Sequence, residues 1–330
     1  MLGVVTVTPL QLMIAKRVIE HMGAKQFFLV NINAHDSKVL RRKFLDVAKL
    51  AIEAQYLTLN GTGWENYKKI FPVVTKWKAV GIDKLLFASI DNIFIQYIVR
   101  VLKGASIHTF DDGSVNIIPS GVYHKMPHLP LRQRMKYYLA RGSRNQNWIR
   151  KKTKCHYTIF DVPQNIVDPA RLHRIALFDQ EFEQAVRSES QLVKVFLGFS
   201  QADDYTNIVR RIAPDYYLPH PMEKGFDEFD NVVYSDQIAE EFIGKLLLEY
   251  RRVAVYACGS TTLLNLASER LERYVVDLAE GESDWQIEFN RIARRLGCTI
   301  LTRREVMNGG VDTQTPGECL GVAEEAFNGQ

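Results

Sequence analysis

Cysteine is scarce. Its four copies, Cys155, Cys258, Cys298 and Cys319, stand far apart and form no Cys-x-x-Cys pair. That spacing argues against a zinc site, and so low a number argues against a disulfide framework, so a reducing compartment is expected. Long apolar runs are missing too. No unbroken stretch of about 18 apolar residues occurs, so no membrane-spanning helix is expected. The opening Met1-Leu2-Gly3-Val4-Val5-Thr6-Val7-Thr8-Pro9 has no basic region ahead of a long apolar core, so no signal peptide is read there. Strong net charge is also absent. With 42 Lys and Arg against 38 Asp and Glu, the balance of +4 says little about partners, and local clustering matters more.

What the chain does have is the composition of a folded protein: 46% hydrophobic and 24% charged residues over 330 positions, enough for two cores. Strand-like and helix-like segments alternate. Strands are expected near 4–7, 27–32, 55–59, 84–88, 106–110 and 155–161, with helices at 10–22, 41–54, 67–80 and 90–102 between them. Thr8 and Pro9 supply the cap and first turn of the first helix. A linker at 163–169 precedes a second series. Its strands are expected at 191–197, 215–218, 253–258 and 274–278, with helices at 202–212, 236–249 (capped by Ser235), 260–271 and 285–296. Such alternation implies parallel βαβ units. The fold class is therefore α/β, with two Rossmann-like domains facing a cleft. Their expected bounds are 1–160 and 170–304, followed by a tail at 305–330.

Three polar signals stand where strands end, which is where ligands bind in such sheets. The first is Asp111-Asp112-Gly113-Ser114. Neighbouring residues of a strand point to opposite sides, so one of the two carboxylates can face a cleft as a base while the other ties down the turn. The second is His220-Pro221, where the proline fixes the backbone and the imidazole could donate to a leaving phosphate. The third is Gly259-Ser260-Thr261-Thr262, a glycine turn entering a helix. Its free N–H groups and hydroxyls suit a phosphate, although ordinary capping by Ser260 explains the same residues. A fourth feature is a charge run. From 131 to 157 there are nine Lys and Arg and no Asp or Glu, with Met135, Tyr137, Tyr138, Leu139, Trp148 and Ile149 interleaved. An anionic membrane surface or a phosphorylated glycolipid suits this stretch, and a solvated helix is the plainer alternative.

In their order, these signals resemble the bacterial sialyltransferases, and more narrowly glycosyltransferase family 52, the lipooligosaccharide sialyltransferases. The stretches that carry the likeness are Val5-Thr6-Val7-Thr8-Pro9-Leu10-Gln11, Phe110 to Ile117, Tyr217-Leu218-Pro219-His220-Pro221, Ile238-Ala239-Glu240-Glu241-Phe242 and Gly259 to Leu266. The resemblance implies a GT-B fold, a CMP-sialic acid donor, a terminal galactose on lipooligosaccharide as acceptor, and inversion without a metal or other cofactor. It makes one of the Asp pair the base, with Asp111 preferred over Asp112. It gives His220 the departing CMP and gives Ser260 and Thr261, beside Gly259, its phosphate. The ribose goes to Glu240 or Glu241, with Glu241 preferred. Gly198, Phe199 and Ser200 border the nucleotide. It further implies a cytoplasmic enzyme, peripheral at the inner membrane through 131–157, without a nucleic-acid partner, and a homodimer is compatible with it.

Three other readings compete. One is a transferase of the same fold that uses another nucleotide sugar, such as a glucosyl donor. Another is a non-catalytic binder of anionic glycan or lipid. The third is a glycoside hydrolase, which the diverging side chains of adjacent aspartates suit poorly.

Overall fold

The computed structural model describes residues 1–125, 130–178, 192–199, 206–220, 223, 229, 231–278 and 283–309. Two parallel sheets organise them. The first holds β1 (Leu2–Thr6), β2 (Phe27–Asn33), β3 (Glu53–Thr58), β4 (Lys84–Phe87), β5 (Ser106–Phe110), β6 (Thr153–Thr158) and β7 (Leu172–Arg174), in the order β3-β2-β1-β4-β5-β6-β7. Its helices are α1 (Pro9–His21), α2 (Lys38–Ala48), α3 (Trp64–Ala79), α4 (Ile93–Val101), α5 (Leu131–Arg141) and α6 (Gln146–Lys152). The second sheet holds β8 (Leu192–Leu197), β9 (Tyr216–Leu218), β10 (Arg252–Ala257), β11 (Leu271–Asp277) and β12 (Thr299–Thr302), in the order β12-β11-β10-β8-β9. Its helices are α7 (Thr206–Ile212), α8 (Ala239–Glu249), α9 (Thr261–Asn265), α10 (Asp284–Arg295) and α11 (Arg303–Met307).

Strand alternation builds the core of the first sheet. Val4, Leu29 and Leu86 pack on one face with Leu12, Ala15 and Val18 of α1. Val5, Val30 and Leu85 pack on the other with Val73, Val74 and Trp77 of α3. Every residue of β1 and β2 is buried, as strands covered on both faces require. The caps agree with the local sequence. Thr8 accepts from the Gln11 N–H at the start of α1, with Pro9 in the first turn, and Ser283 accepts from the Gln286 N–H at the start of α10.

The strand orders matter for function. In the first sheet the order reverses between β1 and β4, and in the second between β8 and β10. A crevice at the carboxyl ends of the strands opens at such reversals. The two sheets also touch through side chains. Ser120 N–H donates to Glu288 Oε2 at 2.7 Å, and Glu241 pairs with Arg42 at 3.2 Å and with Lys43 of α2.

Several expected bounds are corrected. β7 pairs with β6, so the first sheet runs past residue 160 and takes residues from the stretch assigned to the second domain. The helix expected at 260–271 stops at Asn265. Leu266 is extended, and Leu271 pairs with Val253 of β10, so sheet pairing overrides the apolar pattern that reads as helix. α8 starts at Ala239 rather than 236, and Ser235 accepts from the Gln237 N–H in a turn instead of capping the helix. The start of the expected tail belongs to the body. Thr302 and Glu305 form a capping box, and Val306 is fully buried against the second sheet. Residues 310–330, including Cys319, lie outside the described residues. Cys155, Cys258 and Cys298 are buried and unpaired, and no helix among the described residues is long and apolar enough to cross a membrane. Loss of the α11 cap in Thr302→Ala should lower unfolding free energy by about 1 kcal/mol in urea titration, and Val306→Ala should cost more because it opens a cavity. Unchanged midpoints for both variants would show that α11 adds nothing to the second sheet.

Candidate active site

The pleat separates the two aspartates that follow β5. Asp111 points inward and is fully buried. Its carboxylate accepts from His156 Nε2 at 2.9 Å, the Ile159 N–H at 2.8 Å and Asn165 Nδ2 at 3.2 Å. The partners assign the tautomer of His156: Nε2 donates to Asp111, and Nδ1 accepts from the Thr109 hydroxyl at 2.7 Å. A carboxylate so enclosed cannot reach an acceptor. The preference for Asp111 as base is therefore corrected, because the side chain facing outward is that of Asp112.

Asp112 is only partly buried. Ser89, just after β4, donates to its Oδ2 at 2.8 Å; Gln11 of α1 donates to Oδ1 and the Tyr123 hydroxyl to Oδ2. Gln11 is itself anchored. It accepts the Val7 N–H at 2.7 Å and donates to Ser89 at 2.9 Å. Three donors from three segments thus fix the carboxylate at the β1/β4 reversal. Burial, reinforced by the nearby charges of Asp112 and Asp91, raises the Tyr123 phenol well above its ordinary pKa, so it remains a donor.

Gly113 joins this cluster to the second sheet. Its φ is +74°, and a Cβ there would lie 2.9 Å from Thr261 Oγ1. Glycine meets both demands, the left-handed backbone and the close approach. The Ser114 N–H donates to Thr261 Oγ1 at 3.1 Å, and Thr261 Oγ1 donates to Ser114 Oγ at 3.1 Å. Asp112 therefore stands two residues from a direct contact with the Ser260-Thr261 helix start. Ser260 caps α9 by accepting from the Thr262 N–H at 3.2 Å.

The remaining signals lie along the carboxyl edge of the second sheet, on adjacent strands. Gly198 follows β8, and its N–H donates to Leu218 of β9 at 2.7 Å. A Cβ at Gly198 would sit 2.8 Å from the His220 nitrogen. On the other side, Phe199 approaches Gly259 (3.9 Å from the position of its Cβ), and the Trp285 ring lies closer still at 2.9 Å. The three exits that carry His220, Gly198-Phe199 and Gly259-Ser260 are thus side by side at the β8/β10 reversal. Ser200 and Pro221 lie outside the described residues. Glu223 secures the histidine turn by accepting from the His220 N–H at 2.9 Å and from the Tyr217 hydroxyl. Partial desolvation lowers the His220 pKa below the ordinary imidazole value, although the residue reaches solvent, and this favours the neutral ring at pH 7.

The glutamates differ from expectation. Glu241 is engaged by Arg42 and Lys43 and faces α2, so the preference for it at the ribose is corrected. Glu240 is the one beside α9. It is buried, accepts from Thr262 Oγ1 at 3.1 Å and Asn265 Nδ2 at 3.0 Å, and its pKa is raised by burial. Sequence reasoning gave no role to Gln11 and Ser114, although both stand in stretches it singled out, and it missed Ser89, Tyr123 and Glu223. Ser89 was within reach, since it follows a strand next to the reversal; the others depend on contacts between distant segments.

Comparison with known proteins identifies the family and the fold. The sequence profile of Glycosyltransferase family 52 matches residues 51–279. The chain belongs to glycosyltransferase family 52. It is an enzyme, a sialyltransferase with a GT-B fold, and every site residue named from the sequence falls inside the matched region. Two relatives are an N-acetyllactosaminide alpha-2,3-sialyltransferase of Haemophilus influenzae, 26% identical over 79% of this chain and 86% of that protein, and a CMP-N-acetylneuraminate:beta-galactoside alpha-2,3-sialyltransferase of Pasteurella multocida, 25% identical over 81% and 87%. The crystal structure of an alpha/beta-galactoside alpha-2,3-sialyltransferase from Photobacterium phosphoreum superposes with a TM-score of 0.55 at 12% identity, over 91% of this chain and 97% of that one, and so shares the fold.

The two aspartates should separate in mutagenesis. Asp112→Asn, whose amide oxygen still accepts from the donors around it, should lower kcat by about 10²–10⁴-fold, the usual range for a lost general base, with a smaller fall in melting temperature than Asp111→Ala. Asp111→Ala should lose about 3 kcal/mol of stability by stranding buried donors. Steady-state kinetics beside thermal melts distinguish them, and the reverse pattern would return the base to Asp111.

Proposed function

We propose that this enzyme transfers sialic acid from CMP-sialic acid to the terminal galactose of lipooligosaccharide, in α-2,3 linkage, with inversion and without a metal. The observation that carries the proposal is the Ser114–Thr261 contact, because it sets an outward-facing carboxylate against a helix start suited to a phosphate. The relatives' α-2,3 specificity supports the linkage.

In this reading CMP lies along the carboxyl edge of the second sheet. Ser260 and the N–H groups at the start of α9 take its phosphate, Phe199 and Gly198 border the nucleotide, and buried Glu240 holds α9 in place through Thr262 and Asn265 instead of reaching the ribose itself. Thr261 turns to the phosphate when the donor displaces Ser114, which costs two ordinary hydrogen bonds of about 1 kcal/mol each. The galactose hydroxyl attacks the anomeric carbon as the bond to the phosphate oxygen breaks. The electron pair of that bond leaves with CMP, and the hydroxyl proton passes to Asp112. Neutral His220 donates its ring N–H to the phosphate as charge grows there. Gln11, Ser89 and Tyr123 hold the base so that it meets the acceptor in a single orientation.

Purified enzyme with CMP-sialic acid and lactose should yield 3′-sialyllactose in EDTA, identified by NMR. His220→Ala should lower kcat by about 10²–10³-fold, the cost of a lost oxyanion donor. Activity lost in EDTA and restored by magnesium would overturn the metal-free mechanism. Transfer from a UDP-sugar in place of CMP-sialic acid would overturn the donor.

A further inference from the structure

The base cluster uses the exits of β4 and β5, and the exits of β2 and β3 open onto the same carboxyl edge of the first sheet. Between them lies an open pocket of about 610 Å³, lined by Ala34, His35 and Asp36 from one loop and by Thr58, Asn60 and Gly61 from the other. None of these residues has a part in the site described above. Both walls are braced from behind. Asp36 accepts from Arg41 Nε at 2.8 Å and from the Tyr56 hydroxyl at 2.6 Å. The buried side chain of Asn66, in the first turn of α3, donates to the Asn60 and Gly61 carbonyls at 2.8 and 2.9 Å. These bonds hold the 60–61 turn, where Gly61 takes a φ of +68°.

A buried polar seam runs from the base to this pocket. Gln11 donates to Asp112 and accepts the Val7 N–H. From the adjacent Thr6 the seam crosses the strands. Asn31 Nδ2 donates to Thr6 Oγ1 at 3.1 Å, Asn33 Nδ2 to Asn31 Oδ1 at 3.0 Å, and the Thr58 hydroxyl to Asn33 Oδ1 at 3.2 Å. Thr6, Asn31 and Asn33 are buried. Buried amides cost free energy unless they are bonded, and here each is bonded to the next. The seam therefore fixes the exits of β1, β2 and β3 relative to Asp112. In the order β3-β2-β1-β4-β5 the pocket stands three to four strands from β5. At ordinary strand spacing that is roughly 15–20 Å, longer than one sugar ring and suited to a chain of several.

The lining selects the ligand. No Lys or Arg lines the pocket, and Arg41 neutralises Asp36, so the lining offers no permanent positive charge to a phosphate. It holds no large apolar side chain, so an acyl chain has nothing to bury against. What remains are partners for hydroxyls. The His35 imidazole and the Asn60 carboxamide are exposed and have no side-chain hydrogen bond among the described residues, and the Thr58 oxygen can still accept. Such groups both donate and accept, as a neutral polyol requires. We propose that the β2–β3 pocket is an acceptor subsite for a neutral hexose or N-acetylhexosamine, several rings back from the galactose that receives sialic acid. The subsite rests on the acceptor proposed above and adds a preference for long acceptors over short ones.

The test compares lactose with lacto-N-neotetraose, a neutral tetrasaccharide that also ends in galactose. KM for the tetrasaccharide should lie about ten-fold below that for lactose, the effect of one or two hydrogen bonds, at similar kcat. His35→Ala and Asn60→Ala should each raise the tetrasaccharide KM about five-fold, the effect of one ordinary hydrogen bond, and leave lactose kinetics and the melting temperature unchanged. Ala34→Trp, which fills the pocket, should bring the two KM values together. Saturation-transfer NMR with the tetrasaccharide alone reads the subsite without any transfer. The reducing-end rings should receive saturation from the wild type and lose it in Ala34→Trp. Equal KM values in the wild type, substitutions that act on both acceptors alike, or reducing-end rings that receive no saturation overturn the proposal. Saturation of those rings by an enzyme that fails to use CMP-sialic acid sustains the subsite and overturns the donor instead.

Discussion

Two hydrogen bonds between Ser114 and Thr261 join the halves of the candidate site, and most of what surrounds them exists to let that contact form. Gly113 supplies the backbone angle and the clearance on one side. On the other, Ser260 starts a five-residue helix, with Glu240 holding Thr262 and Asn265 from beneath. Neither hydrogen bond is strong, since each is worth about 1 kcal/mol net. A link of that size ties the two sheets together without locking them. The Ser120–Glu288 hydrogen bond and the Glu241 pairs with Arg42 and Lys43 add further ties between the sheets away from this point.

The strand reversals explain why the polar residues meet where they do. In each sheet the order changes direction once, and the chain leaves neighbouring strands on opposite sides of that point. At the first reversal this exposes the start of α1, the exit of β4 and, one strand away, the exit of β5. Gln11, Ser89 and Asp112 come from those three places. At the second it exposes the exits of β8 and β10, with β9 alongside, and so gathers Gly198-Phe199, Gly259-Ser260 and His220.

The local sequence carried the element types well, because burial on both faces of a parallel sheet leaves continuous apolar strands and the capping residue Thr8 marks the start of α1, whereas Ser235 caps only a turn ahead of α8. It failed where a segment's state depends on a distant partner. Leu266 to Leu271 has the apolar content of a helix, yet β10 draws Leu271 into the sheet. β7 and β12 are short edge strands that exist because β6 and β11 offer them a partner. The glutamate pair is similar. Nothing near Glu240 and Glu241 tells which one packs under α9 and which meets α2, since the answer lies in Thr262, Asn265, Arg42 and Lys43.

By itself the sequence determined the alternating α/β architecture, the three strand exits with their residue types, and the family resemblance, because periodicity and motif spacing are properties of the chain read locally. Tertiary structure alone decided that Asp112 rather than Asp111 faces outward and that Gln11, Ser89 and Tyr123 hold it. The physical reason is the same in each case. Whether a side chain is buried, bonded or exposed depends on which remote segment packs against it, and here His156 and Asn165 close over one aspartate while the neighbouring one is left facing the cleft.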